Sequence, residues 1–155
     1  MNKDGELDVV AVADMEAKVL IYFGDGRGGF SPSPLELETT NNDFAPATRD
    51  FNNDGNLDLA VTEYNNENPV ESDFVVFLDD GAGNFNRSGS FPTEIQPSTL
   101  DVTDLNNDGK LDVVVGGAAA ENDTGIFIST YLGDGHGSLR SSRRPIWVRA
   151  ASREK

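Results

Sequence analysis

An all-β fold of repeated four-stranded antiparallel sheets is predicted for this 155-residue chain by three observations. An acidic phrase recurs, as "MNKDGELDVV" at the start, "RDFNNDGNLDLAV" from residue 49 and "TDLNNDGKLDVVV" from residue 103, which sets Asp8, Asp58 and Asp112 at spacings of 50 and 54. A glycine phrase follows each copy, as "IYFGDGRGGF" (21–30), "VFLDDGAGNF" (76–85) and "TYLGDGHGSL" (130–139), with Asp25, Asp80 and Asp134 at spacings of 55 and 54. Two separate phrases on one period define a repeat. Finally, the segments between the phrases alternate as strands do, and none holds a helical period.

Each element follows from local chemistry. After the acidic phrase come the triplets Leu7, Val9, Ala11; Leu57, Leu59, Val61; and Leu111, Val113, Val115. Alternate side chains of a strand share a face, so each triplet is expected to line one buried face. The residues between them (Val10 and Val12, Ala60 and Thr62, Val114) are expected to be partly covered by a second neighbour. A second strand leads into each glycine phrase with Tyr22–Phe23, Phe77–Leu78 and Tyr131–Leu132, and the glycines then supply the positive φ of a hairpin turn. The first unit is five residues shorter between its phrases, with "ADMEAK" where the second has "TEYNNENPVESD", which puts the length change in a loop.

Four strands per ~54 residues is the signature of a propeller blade. The predicted architecture is a partial β-propeller of about two and a half four-stranded antiparallel blades, with units near 1–43, 44–97 and 98–139 and a basic, non-repeat tail over 140–155. A single sheet of this kind cannot bury both faces and needs stacked neighbours.

Charge narrows the function. The formal net charge is −15, made of −20 over residues 1–139 and +5 over residues 140–155. Such an acidic body repels nucleic acid and anionic membranes, so neither is an expected partner. No apolar run approaches the ~18 residues of a membrane helix, and no basic-then-apolar stretch opens the chain. There are no cysteines, which excludes disulfides and thiolate metal sites, and His136 is the only histidine. It falls in a glycine turn where a solvated residue is a simpler reading than a catalytic base. Asn86 and Asn122 begin glycosylation-type triplets, a pattern common by chance.

The acidic phrase carries the candidate chemistry. Its full copies spell D-x-N-x-D-G-x-x-D, with Asp50, Asn52, Asp54, Gly55 and Asp58, then Asp104, Asn106, Asp108, Gly109 and Asp112. Oxygen side chains at positions 1, 3, 5 and 9 of a tight loop can converge on calcium, which takes ~6–8 oxygens. Position 7 (Asn56, Lys110) would lend only its carbonyl, and Phe51 and Leu105 at position 2 are expected to anchor the loop in the core. Position 12 is Val61 or Val115, where an EF-hand needs glutamate and a dockerin-type loop an acid followed by a helix. The competing reading is an ordinary Asx turn without metal. Hairpin geometry is likewise the simpler account of Asp25, Asp79, Asp80 and Asp134.

The paired phrases "DFNNDGNLDLAV…VVFLDDGAGNF" and "DLNNDGKLDVVV…TYLGDGHGSL" resemble the FG-GAP/VCBS repeats, related to the calcium-binding blades of integrin α-subunit propellers. The resemblance covers residues 1 to about 139. It implies propeller blades, Ca2+ in the acidic loops and a secreted or cell-surface setting. Its ligands would be Asp50, Asn52, Asp54, Asn56 (carbonyl) and Asp58, then Asp104, Asn106, Asp108, Lys110 (carbonyl) and Asp112. In the first unit Asn2, Asp4, Glu6 and Asp8 match while the leading Asp has no counterpart. Met1 there aligns with Phe51 and Leu105, and the expectation is that it is an internal residue of a longer array with the missing Asp just upstream.

Three functions compete at this point. A non-enzymatic, calcium-stabilised scaffold would bind a protein or carbohydrate ligand outside the cell. A propeller-type polysaccharide lyase would need a cluster of Lys, Arg, Tyr or His breaking the repeat, which no unit carries. A truncated gene product would lack an isolated function, its open edges pairing with the remaining blades of a larger propeller or with themselves.

Overall fold

The structure, a computed structural model, describes all residues except 14–15, 41, 66, 69–70, 94–95, 119–124, 143–145 and 149–155. No α-helix occurs among the described residues. The strands are β1 (Val9–Ala13), β2 (Lys18–Tyr22), β3 (Leu35–Glu38), β4 (Asn42–Arg49), β5 (Asp58–Tyr64), β6 (Asp73–Asp79), β7 (Phe85–Pro92), β8 (Gln96–Thr103), β9 (Asp112–Ala118), β10 (Ile126–Gly133), β11 (Leu139–Ser141) and β12 (Ile146–Val148). They form three antiparallel sheets, β1-β2-β3, β4-β5-β6-β7 and β8-β9-β10-β11, with β12 also pairing β10.

The expected two and a half blades are thus three sheets of three, four and five strands, and the described residues form no closed ring. The first sheet has no counterpart of β4 or β8 among those residues. Those two strands begin at Asn42 and Gln96, two residues ahead of the expected unit boundaries. Each carries a proline, Pro46 or Pro97, beside a register shift, because proline has no N–H to give the ladder. The segment expected to be a non-repeat tail also contributes strands. Arg140 and Ser141 continue β11, and residues 146–148 pair with residues 126–128 of β10. The "IWV" tripeptide is apolar and β-prone, and that outweighs the arginines around it.

The sheets stack in chain order. Val19, Ile21 and Leu37 of the first sheet bury against Leu59, Val61, Val75 and Phe77 of the second. The opposite face of the second sheet (Ala60, Phe74, Val76) packs on Val102, Val113, Val115 and Phe127 of the third. Phe74 stacks on Phe91 at 5.0 Å between ring centroids and meets Tyr131 edge-on at 4.8 Å. The middle sheet is therefore covered on both sides, as the two-sided apolar pattern of β5 requires.

This order corrects two expectations. Each triplet faces the preceding sheet, so Leu59, Val61, Val113 and Val115 are fully buried while Val9 is 41% and Leu7 90% exposed. Leu57 is 47% exposed, because it precedes β5 at the rim where the first sheet has no inner strand among the described residues. The position-2 residues face the following sheet. Met1 packs on the first interface and Phe51 on the second, whereas Leu105 is 43% exposed with no described sheet beyond it.

A knob and a seat recur at both interfaces. Phe23 sits over Gly83, and a Cβ placed there would meet its ring at 2.9 Å. Leu78 sits over Gly137 in the same way, at 2.9 Å. Both glycines also hold positive φ, as does Gly28 in the first unit, yet at Gly28 a Cβ would meet nothing within 4 Å. A comparison of two alanine variants isolates the packing. Gly28→Ala is expected to cost about 1 kcal/mol through φ alone. Gly83→Ala should cost about 2 kcal/mol more through overpacking. Urea melts measure the difference, and equal costs would contradict the seat.

Candidate functional site

The acidic phrase of each unit forms a tight loop just ahead of the strand that carries the triplet. Two backbone features close it: Gly55 and Gly109 at φ 83° and 80°, and Asn53 and Asn107 at φ 59°. Lys3 and Gly5 repeat this in the first unit, at 57° and 90°. The second asparagine of "NND" was the missed signal, since asparagine enters the left-handed region more readily than most residues.

Inside the loop the side chains at positions 1, 3 and 5 converge. Asp50 Oδ1 and Oδ2 accept the N–H groups of Asp54 (3.1 Å) and Gly55 (2.8 Å). Asn52 donates its Nδ2–H to Asp54 Oδ2 at 2.8 Å, and Asp54 Oδ1 accepts the N–H of Asn56 at 2.8 Å. The third loop repeats the pattern: Asp104 accepts from Asp108 (3.2 Å) and Gly109 (2.9 Å), Asn106 donates to Asp108 (3.2 Å), and Lys110 N–H donates to Asp108 (3.0 Å). In the first loop Asn2 donates to Asp4 (2.7 Å), and Glu6 N–H donates to Asp4 (2.8 Å). The Asn52 amide holds Asp54 below the usual range, the Gly109 N–H does so for Asp104, and the Glu6 N–H for Asp4.

Position 9 behaves differently. Asp58 and Asp112 are fully buried, and both oxygens of each are engaged. Asp58 Oδ2 accepts the Phe51 N–H at 2.8 Å and Oδ1 the Asp79 N–H at 2.9 Å. Asp112 does the same with Leu105 (2.9 Å) and Gly133 (2.9 Å), and Asp8 accepts from Gly24 at 3.0 Å. The residue expected only as a ligand therefore ties the acidic loop to the glycine turn of its own unit. Burial pushes the Asp58 carboxyl up, against the pull of those two N–H bonds.

Asn56 was expected to offer only its carbonyl. Its side chain is buried and donates to the Asp79 carbonyl at 3.1 Å, a contact that Lys110 and Glu6 at the same position do not repeat. Asp25, Asp80 and Asp134 cap their own turns through the N–H groups two and four residues on, as hairpin geometry predicts. His136 is exposed in such a turn, and Asn86 is exposed on β7, while Asn122 lies outside the described residues.

With position 3 an asparagine and position 9 turned to the sheet, no three Asp, Glu or His side chains gather at one point among the described residues. Each full loop instead presents two carboxylates and an amide, an all-oxygen set that suits a hard cation. Asp58 and Asp112 keep a further lone pair on each oxygen, so their N–H bonds leave room for a metal contact.

A second polar cluster lies at the far end of the middle sheet. The fully buried Glu63 accepts from Thr40 Oγ1 (2.6 Å) and Arg87 (3.3 Å), and Asp73 opposite it accepts from Ser90. Burial, with the Glu63 charge beside it, pushes Asp73 up to about 6.

Stacked antiparallel sheets joined by acidic loops and glycine turns define a β-repeat module. A family model described as FG-GAP-like repeat matches residues 1–61 and 62–115. The chain belongs to the FG-GAP-like repeat family, whose repeats are typical of extracellular proteins. No curated protein matches it. No helix among the described residues is long and apolar enough to cross a membrane.

Two substitutions test the roles assigned to the aspartates. In calcium-free buffer Asp58→Asn should cost about 2–3 kcal/mol, because an amide N–H then faces a buried N–H. Exposed Asp54→Asn should cost about 0.5 kcal/mol or less; similar losses would contradict the bracket. For Asp73, a folded value above the unfolded one means its contribution is full below about pH 3.8 and is lost as pH rises through about 6. Asp73→Asn is therefore expected to gain stability over the natural chain at pH 7, on the order of 1 kcal/mol after solvent screening. The gap should close toward pH 4, as followed by melts across that range.

Proposed function

We propose that this chain is a non-enzymatic, calcium-stabilised module of propeller type that serves as a binding or adhesion scaffold outside the cell. Calcium has a structural role in this reading. The observation that carries it is the repeated convergence of Asp50, Asn52 and Asp54, and of Asp104, Asn106 and Asp108, at the mouths of loops whose ninth residue is already locked. Two carboxylates on one tight loop repel one another, and a divalent cation would remove that cost while joining loop to strand. Asn56 and Lys110 would add a carbonyl each. In the first loop Asn2, Asp4, Glu6 and Asp8 stand at the matching positions 3, 5, 7 and 9.

The ligand of the scaffold is a protein or carbohydrate; repetition of the loops supports a framework role for them, with recognition elsewhere. Calorimetric titration with calcium should register two sites of similar strength, and saturating calcium should raise the melting temperature. Asp54→Ala and Asp108→Ala should each remove one site, and the double variant should lose the thermal shift. An identical melt in calcium and in chelator would overturn the structural role.

A further inference from the structure

The polar cluster at the far end of the middle sheet breaks the repeat. Glu63 and Asp73 are register partners on β5 and β6. The equivalent pair is Ala13 and Lys18 in the first unit, and Gly117 and Phe127 in the third. The second unit alone therefore sets two carboxyls side by side at this place, and neither belongs to the acidic loops. Glu63 is fully buried, Asp73 is half-buried, and their carboxyls lie within hydrogen-bonding reach of one another. Two ionised carboxylates repel at that range, so the contact holds only while one of them keeps its proton.

The groups around the pair show what it fastens. Thr40, in the stretch leading from β3 of the first sheet to β4 of the second, donates its hydroxyl to Glu63 at 2.6 Å and its N–H at 3.4 Å. Thr39 beside it donates its N–H to the Ala17 carbonyl at 2.9 Å. From β7, Arg87 reaches Glu63 at 3.3 Å and Ser90 donates to Asp73. On β4, Asp43 stands at the register position opposite Glu63. On the first sheet, which packs on this face of the middle sheet, Lys18 pairs with Glu36 and Glu38. A protonated Asp73 thus leaves one negative charge on the pair, matched by Arg87, and an ionised Asp73 leaves two. At the next joint Thr93 takes the place of Thr39. It gives both its N–H and its hydroxyl to the Ser72 carbonyl, a neutral acceptor, each at 3.0 Å.

We propose that Glu63 and Asp73 form an acid-closed clasp on the joint between the first and second units. In mildly acidic surroundings one shared proton keeps Glu63 on Thr40. Near neutral pH that proton is lost to solvent, the two carboxylates repel, and Glu63 draws away from Thr40, which loosens the joint. Burial pushes Asp73 up to about 6, so the contribution of the clasp is full below about pH 3.8 and is lost as pH rises through about 6. Neither calcium nor the ligand of the scaffold enters this device, so it and the proposed function can fail separately.

Amide hydrogen exchange on the full chain, resolved by NMR and corrected for the intrinsic rate at each pH, tests it in calcium-containing buffer. Between about pH 5 and about pH 7.5 the protection of Thr39 and Thr40 is expected to fall about tenfold, while that of Thr93 stays level. Asp73→Asn keeps a donor for Glu63 and removes the titration, so both amides should stay protected across the range. Thr40→Val removes the hydroxyl, and Thr39 should then exchange fast at both ends of it. In the natural chain the carboxyl carbon signals of Glu63 and Asp73 should move with the same midpoint as the Thr40 amide. Protection at Thr39 and Thr40 that ignores pH, a fall shared equally by Thr93, a fall that survives Asp73→Asn, or carboxyl midpoints apart from that of Thr40 would overturn the clasp.

Discussion

A buried aspartate at the ninth position of the acidic loop holds the second and third units together. Asp58 and Asp112 each bind one N–H at the start of their own loop and one at the head of the glycine turn, 21 residues further on. A carboxylate without water is costly, and two charge-assisted bonds from otherwise orphaned main-chain donors offset that cost. The bond is also geometric. It pins the loop preceding the second strand of a sheet to the end of the third, so the two recurring phrases cannot move independently. Their common spacing is the sequence record of that bond.

Much of the fold was legible because it repeats. The two phrases and the alternation around them located the central strands of all three sheets. The direction in which each face points was not legible, since a period of two says only that alternate residues share a face. Val9 and Val113 occupy the same place in their units, yet one is half exposed and the other fully buried, because a described sheet precedes the third unit and none precedes the first. Phe51 and Leu105 differ for the complementary reason. The strand at 146–148 is not legible in composition, because five arginines in the segment outnumber its three β-prone residues.

The candidate site was legible in its residues and not in its division of labour. Oxygen-bearing positions 1, 3, 5 and 9 look alike on paper, but burial separates them. The first three stand at the solvent side, where hydrogen bonds from the Asn52 amide and the Gly109 N–H hold the Asp54 and Asp104 carboxyls below the usual range. The ninth faces the sheet. Asn56 and Asp79 were harder still, because their contact belongs to the middle unit alone, where glycine gives way to aspartate at position 79.

The seats under Phe23 and Leu78 are places where a side chain is missing, and they set how closely neighbouring sheets approach. A duplicated segment of about 54 residues, the period of the repeat, would bring its own hollow and its own projection, fitting units on either side without altering them. Array length in such a chain is therefore open to inheritance by copying. A single point change at one hollow would mark where growth stops.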